Sequence, residues 1–448
     1  MKKDLKSMKL PMSEKVTYGF GNLAATLMFT TAGSFITYYY TDVVGLSAAI
    51  VGNILLWARV FDGISDLIMG TIVDKMANKK GKARPWIIRM AVPYAFALIL
   101  LFSSPDFLEG TGKAVYAFVT YVIAMAGVYT ATMVPYNTML STSTNNPVER
   151  GTLSTSRTIC GYAGATIVNA IVWPLVTFYG NDKPAWTMTA ATLGFAATVL
   201  LIIMFCNSAE RVIDREEKKE KVKIPVLVQV KNLVKNKYWL IIILYMLTNF
   251  INFGLNGINV YYANWILGDG NKVGVIGSAT YASIMVGALL MPTLMKKFPK
   301  RTLCMCGSAV YITGILILAL FSDNFYMMIL GVAVKGLGCA PGAVSGYAML
   351  GDIVDYGQWK TKIRNEGMVF SAATFGEKVG SGLGGLILGT VLSIGGYVST
   401  ATVQSASALL SIKAVFIYVP LVFSVIGLIL LCFYNLDKKM PEIRKQMQ

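Results

Sequence analysis

The chain contains no histidine. That absence removes imidazole metal ligands, Ser-His-Asp and Cys-His nucleophile pairs, and histidine proton relays. Charge is scarce as well: Asp, Glu, Lys and Arg make up 14% of 448 residues, against about a quarter in an average soluble domain. The six cysteines (Cys160, Cys206, Cys304, Cys306, Cys339 and Cys432) all lie in or beside apolar runs. They read as small buried hydrophobes, not as a disulfide framework. No HExxH, CxxC, phosphate-binding P-loop or dinucleotide fingerprint occurs. An enzyme is therefore not expected, and neither is a bound cofactor.

What the chain has is apolar length. It is 55% hydrophobic, the composition of a polytopic membrane protein. Twelve apolar spans of about 20 residues or more each match the thickness of a bilayer core. They run 16–41, 46–74, 86–104, 114–142, 154–179, 186–206, 239–267, 274–295, 302–321, 325–351, 367–393 and 414–434. The start, MKKDLKSMKLPMSEK, is polar and basic rather than a secretory signal, so the first apolar run is expected to stay as a span.

Lysine and arginine are unevenly shared between the two sides. The N-terminus, the loops around 75–84, 296–301 and 360–364, and the C-terminus carry most of them. The opposite loops hold only Lys113, Lys183, Lys272 and Lys413. The positive-inside bias puts both termini in the cytoplasm. It also accounts for the formal charge of +17 without a nucleic-acid partner. The longest polar stretch, 207–237, falls between spans six and seven. The expected organisation is an all-α membrane fold with an N-terminal six-helix half (1–206), a cytoplasmic linker (207–238) and a C-terminal six-helix half (239–448).

A few ionisable residues break the apolar spans: Arg59, Asp62, Asp66, Lys335, Glu377 and Lys378, with Arg157 near an end. Each costs about 2.5–3.5 kcal/mol at a helix centre on insertion scales, so each is expected to face a bundle interior or an aqueous cavity. Asp62 and Asp66 are four apart, on one helix face. Two carboxylates that close do not both stay ionised without a cation. A Na⁺ ion or a proton would satisfy them, with Ser65 adding an oxygen. The alternative is a structural ion-pair network with Arg59 and Lys378.

Span seven carries Asn249, Asn252, Asn256 and Asn259 at spacings 3, 4 and 3, one face of a continuous helix. Such a stripe lines a cavity, where amides suit a hydroxyl-rich solute, or bonds to another helix. Most aromatics are assigned to interfacial belts, with Tyr129 and Trp173 as sugar-stacking residues. Glycines in GYAGATIVNA (161–170) and EKVGSGLGGLILG (377–389) permit close helix approach.

Four blocks carry a family resemblance over essentially the whole chain. They are YGFGN with YYYTDVVGLS; RVFDGISDLIMGTIVDK running into GKARPW; MVPYNTMLSTSTNNPVERGTLSTSR; and DIVDYGQWKTKIRNEGMVFSAATFGEKVGSGLGGLILG. The chain resembles the glycoside–pentoside–hexuronide:cation symporters, the melibiose-permease group of the major facilitator superfamily. The resemblance implies twelve helices with alternating access in a bacterial inner membrane, carrying a sugar with Na⁺, H⁺ or Li⁺; the chain is expected to work as a monomer. It assigns the cation site to Asp62 and Asp66 with Thr130, and to Lys378 the link between cation and sugar sites. It also matches Arg157 to the family's helix-five Arg, and the sugar is expected near Asn22, Thr26, Tyr129, Asn137, Arg157 and the span-seven asparagines. Gly70-x-x-x-Asp74-Lys75, with Asp352, Asp355 and Arg364, is implied to form the inner gate.

Two departures stand out. Melibiose permease holds its galactoside with two acids where Thr26 and Met133 stand here, and its helix-four Trp is Asn137, so melibiose is not the expected substrate. The Asn between the paired acids is Ser65, which leaves Na⁺ against H⁺ open. The surviving cations Lys335, Lys378 and Arg157 raise the expectation of an anionic sugar, a hexuronide or sulfo-sugar. The rival reading is a carrier of lysolipids or other small solutes on the same scaffold.

Overall fold

The computed structural model describes residues 9–75, 81–212, 233–321, 324–361 and 366–447. The fold is all-helical. The helices are α1 (Met12–Tyr38), α2 (Ala48–Lys75), α3 (Arg84–Leu101), α4 (Thr111–Tyr121), α5 (Thr130–Thr142), α6 (Pro147–Phe178) and α7 (Lys183–Asn207). They continue as α8 (Lys237–Gly254), α9 (Ile258–Trp265), α10 (Lys272–Lys297), α11 (Lys300–Leu320), α12 (Phe325–Thr361) and α13 (Glu366–Ile394). The last are α14 (Ala406–Lys413), α15 (Val419–Cys432) and α16 (Leu436–Met447). Three π-wound turns interrupt the pattern, at Tyr39–Val43, Val122–Tyr129 and Ala414–Tyr418.

Helix starts follow from local chemistry. Asn146 and Asp182 accept from Val148 N and Ala185 N ahead of Pro-containing first turns, and Asn236 accepts from Tyr238 N. Among the described residues, ten helical segments are long and apolar enough to cross a membrane. α1 and α13 fall outside that set. α1 is rich in Gly, Ser and Thr, and α13 carries Glu377 and Lys378.

The chain separates into two compact units. Unit 1 is Met1–Arg215 with Asn256–Ser278 and Gly385–Ser411. In it α1 packs on α6 and α7, and α3 on α7. The α1–α6 approach depends on missing side chains: a Cβ on Gly161 would lie 2.3 Å from Asn22 Nδ2, and one on Gly164 2.1 Å from Thr26 Oγ1. The segment after α7 ties several chain ends together. Glu210 accepts from the backbone N–H groups of Lys82, Ala83 and Arg84 and from the Thr142 hydroxyl. Arg211 donates to both oxygens of the buried Glu14, each at 2.7 Å, and that bond holds the guanidinium pKa above its ordinary value.

Removing only the cation strands a buried carboxylate, so the cost is asymmetric. Arg211→Gln is expected to lose about 2–3 kcal/mol. That is less than for a fully buried pair, because 22% of the Arg211 side chain is exposed. The Glu14→Gln/Arg211→Gln double variant is expected to lose less than Arg211→Gln alone. Thermal unfolding of the purified protein in detergent measures both, and a double variant worse than the single contradicts the account.

Unit 2 is Glu216–Leu255, Ala279–Gly384 and Ile412–Gln448. α11 and α12 meet through backbone: a Cβ on Gly338 would lie 2.4 Å from Tyr311 N, and one on Gly314 2.4 Å from Lys335 N. Its apolar core gathers Tyr238, Ile242, Tyr245, Met349, Ile353, Leu431 and Tyr434. The amphipathic α16 closes that core with Leu436, Met440 and Ile443.

Candidate functional site

The expected acid pair forms a compact polar site inside unit 1. Asp62 is fully buried, Arg59 and Thr130 nearly so, and Asp66 and Ser65 half-buried. The Thr130 hydroxyl lies 3.0 Å from Asp62 Oδ1 and 3.0 Å from Asp66 Oδ1. Ser65 Oγ lies 3.4 Å from Thr130 Oγ1 and bonds the Asp62 carbonyl at 2.9 Å. Arg59 Nη1 approaches Asp62 Oδ2 at 3.4 Å, and its guanidinium sits 4.9 Å above the Phe29 ring and 5.9 Å from that of Tyr121. One hydroxyl has one proton to donate, yet two carboxylates converge on it. That geometry suits a cation or a shared proton more than two bare anions.

The π-wound turn Val122–Tyr129 immediately precedes Thr130, and Thr130 Oγ1 reaches back to Met125 O at 3.4 Å. Such turns shift every following side chain around the helix axis and recur at functional positions. Tyr129 stacks on Phe29 with ring centroids 5.6 Å apart. Phe29 and Tyr121 are site residues that sequence reading missed, since aromatics in apolar spans carry no distinguishing spacing.

The expected sugar residues of unit 1 are partly brought together. Asn22 Nδ2 donates to Arg157 O at 2.9 Å, and Thr26 Oγ1 bonds its own helix at Leu23 O. The Arg157 guanidinium lies 5.8 Å from the Tyr136 ring, which stacks on Tyr18. Asn137 is exposed on α5. Trp173 stands apart from these residues, buried against Tyr38 and Trp186. Beside it, Tyr397 donates to Asp42 and accepts from Trp265, and Tyr261 meets Thr41 at 2.6 Å. Trp173 therefore belongs to an aromatic cluster.

In unit 2 the asparagine stripe is not one helix face. α8 ends at Gly254, a 3₁₀ turn spans Leu255–Gly257, and α9 starts afresh. The break suits glycine: a Cβ on Gly254 would lie 2.1 Å from Ser381 O. Asn249 donates to Tyr245 O in its own helix, and Asn252 to Ser424 Oγ. Asn256 sits in the 3₁₀ turn and Asn259 beyond it, both assigned to unit 1. The Lys335 ammonium lies 5.3 Å over the Phe416 ring, with no carboxylate at ion-pair distance among the described residues. Lys378 is half-buried on α13. Of the expected gate, Asp352 pairs with Lys300 at 2.6 Å and Asp355 is half-buried. The side chains of Asp74 and Lys75, and all of Arg364, lie outside the described residues.

Comparison with known proteins places the chain as a whole. The family described as MFS/sugar transport protein matches residues 17–438. The isoprimeverose transporter of Lactiplantibacillus pentosus is 35% identical, covering 98% of this chain and 92% of its own. A protein of Escherichia coli K12 named as a glycoside/cation symporter, YagG, is 28% identical over 98% of this chain and 95% of its own. Another from the same organism, named for sulfoquinovose import, is 27% identical over 97% and 92%. Among solved structures, a D-xylose-proton symporter superposes with a TM-score of 0.66 at 14% identity, covering 96% of this chain and 98% of that one.

Proposed function

The chain belongs to the MFS/sugar transport protein family, and from that premise we propose that its coupling ion sits among Asp62, Asp66, Thr130 and Ser65. The protein is a cation-coupled sugar symporter, not an enzyme. The observation that carries the site assignment is the convergence of two carboxylates on one threonine hydroxyl. The arrangement offers oxygen ligands of the kind hard cations take. A proton shared between the same two carboxylates is the other coupling ion the arrangement accommodates.

The layout is twelve spans in two six-helix halves, the chain works as a monomer in a bacterial inner membrane, and both termini are cytoplasmic. The sugar is a neutral glycoside, supported by the relative named for isoprimeverose and by the seating of Lys335 against Phe416. Asn22, Thr26, Tyr129, Asn137 and Arg157 serve the sugar within unit 1, and Asn249 and Asn252 within unit 2.

Uptake into proteoliposomes under imposed Na⁺ or H⁺ gradients tests the class. Competition among neutral and acidic glycosides tests the substrate. Unlabelled isoprimeverose is expected to inhibit uptake, and sulfoquinovose at equal concentration is not. Lys335→Gln is expected to leave that ranking and the KM within about twofold, since the ammonium sits over the Phe416 ring and a neutral sugar offers it no charge to pair with. Preference for the acidic sugar, lost in Lys335→Gln, would replace the neutral reading with an anionic one.

A further inference from the structure

Away from the span ends, three carboxylates interrupt the apolar segments: Asp62, Asp66 and Glu377. The first two are taken up by the ion site. Glu377 is left without a role, and burying a carboxylate at mid-span is too costly to be idle. The structure gives it a built environment within unit 2. It lies on α13, half-buried, and accepts a hydrogen bond from the Tyr347 hydroxyl of α12 at 2.5 Å. Tyr347 itself packs against the apolar core of the unit, so the donor is held in place.

The helix carrying Glu377 is fixed too. One turn on, a Cβ on Gly380 would lie 2.9 Å from Phe250 Cβ, and one on Gly384 2.3 Å from Ile251 O, so α13 is seated tightly on α8. By contrast a Cβ on Gly376, the residue before Glu377, would meet nothing within 4 Å, so α13 is not packed at that position. A carboxylate offers about four acceptor positions, more than any one donor fills. Sugar hydroxyls are donors that need strong acceptors, and a carboxylate accepting from adjacent hydroxyls makes charge-assisted bonds about twice as strong as neutral ones.

We propose that Glu377, positioned by the Tyr347 hydroxyl, accepts hydrogen bonds from the transported sugar and sets which hydroxyl pattern the carrier selects. This rests on the sugar-symport reading and adds to it a specificity-determining residue outside the ion site. Glu377 touches substrate. Tyr347 acts through it, as a positioning residue.

The test is a transport and binding panel of isoprimeverose, methyl xylosides, methyl glucosides and the monodeoxy analogues of whichever sugar wild type binds best. Glu377→Gln is expected to raise KM for the parent sugar about 10- to 100-fold. Maximal rate and the cation concentration for half-maximal uptake stay within about twofold. One monodeoxy analogue, lacking the hydroxyl that Glu377 holds, should show nearly the same KM in both proteins. Tyr347→Phe is expected to raise KM several-fold with the maximal rate kept, and Glu377→Asp to reorder the panel.

Equal shifts for every analogue, or none, overturn the assignment. So does loss of gradient-driven uptake with sugar exchange intact, which would mark Glu377 as a proton carrier. If Glu377→Gln fails to fold, Glu377→Asp and Tyr347→Phe decide by the same reordering. If wild type binds no sugar of the panel, the symport reading and this assignment fall together. If wild type binds and Glu377→Gln binds equally, only this assignment falls.

Discussion

Replacing Asp62 or Asp66 with asparagine is expected to lower the affinity for the coupling cation about 10- to 100-fold, by the loss of one charged oxygen ligand worth about 1.5–3 kcal/mol. The effect on transport follows from linkage. Coupling is a free energy shared between two sites, so a carrier that no longer feels its ion also loses the ion's help in binding sugar. Both variants should therefore lose gradient-driven accumulation in proteoliposomes while keeping slow equilibration down a sugar gradient.

Asp62→Asn is expected to be the more damaging to the fold. Asp62 is fully buried and faces Arg59, 4% exposed, whereas Asp66 is half-buried. Removing Asp62 leaves the guanidinium with its rings and, among the described residues, no carboxylate at ion-pair distance. Thr130→Val is expected to weaken ion binding less, about 10-fold, as a neutral ligand. Uptake and melting temperature measured side by side separate the two effects. Full coupled uptake by both asparagine variants sinks the ion-site assignment.

The second large effect is expected from a single methyl group. Alanine in place of glycine inside a helix ordinarily stabilises it by about 0.5–1 kcal/mol. At Gly389 the neighbours reverse the sign. A Cβ there would lie 2.2 Å from Ala48 O and 2.9 Å from both N and Cα of Gly52, all backbone atoms. Neither helix can yield without moving as a whole, so Gly389→Ala is expected to cost upwards of about 3 kcal/mol and to lower the yield of folded protein sharply. Gly33 is the control. A Cβ there meets nothing within 4 Å, and Gly33→Ala should be neutral or slightly stabilising. Melting temperatures of the two variants that shift together would refute the close-approach account.

What the sequence discloses here depends on which physical signal each residue carries. Asp62 and Asp66 stand out because a charge in an apolar run is costly whatever the fold, and the structure brings them together with Ser65. Thr130 sits at the place the family resemblance assigned, but the π-wound turn that delivers it has no compositional mark. The asparagine stripe misled for the opposite reason. Its 3, 4, 3 spacing is a sound helical period, but the period holds only while the helix does. The glycines at 254 and 257 permit a break at which the register is lost. Lys335 was visible as a charge in a span, but its resting place over Phe416 depends on a partner some 80 residues away, which pattern alone does not identify. The bias of lysine and arginine between loops carries an orientation that no contact within the folded chain repeats.

The make-up of unit 1 bears on how the protein is synthesised. Its first 215 residues are contiguous, but it also takes in Asn256–Ser278 and Gly385–Ser411, which carry Tyr261, Trp265 and Tyr397 of its aromatic cluster. A ribosome reaches the last of these pieces when nine-tenths of the message has been read. Until then the aromatic cluster of unit 1 lacks Tyr397 and its bonds to Asp42 and Trp265. Insertion of this protein is therefore not a matter of completing one half and then the next: the first unit begun is among the last to close, and fragments truncated near residue 212 should be prime targets for membrane proteases.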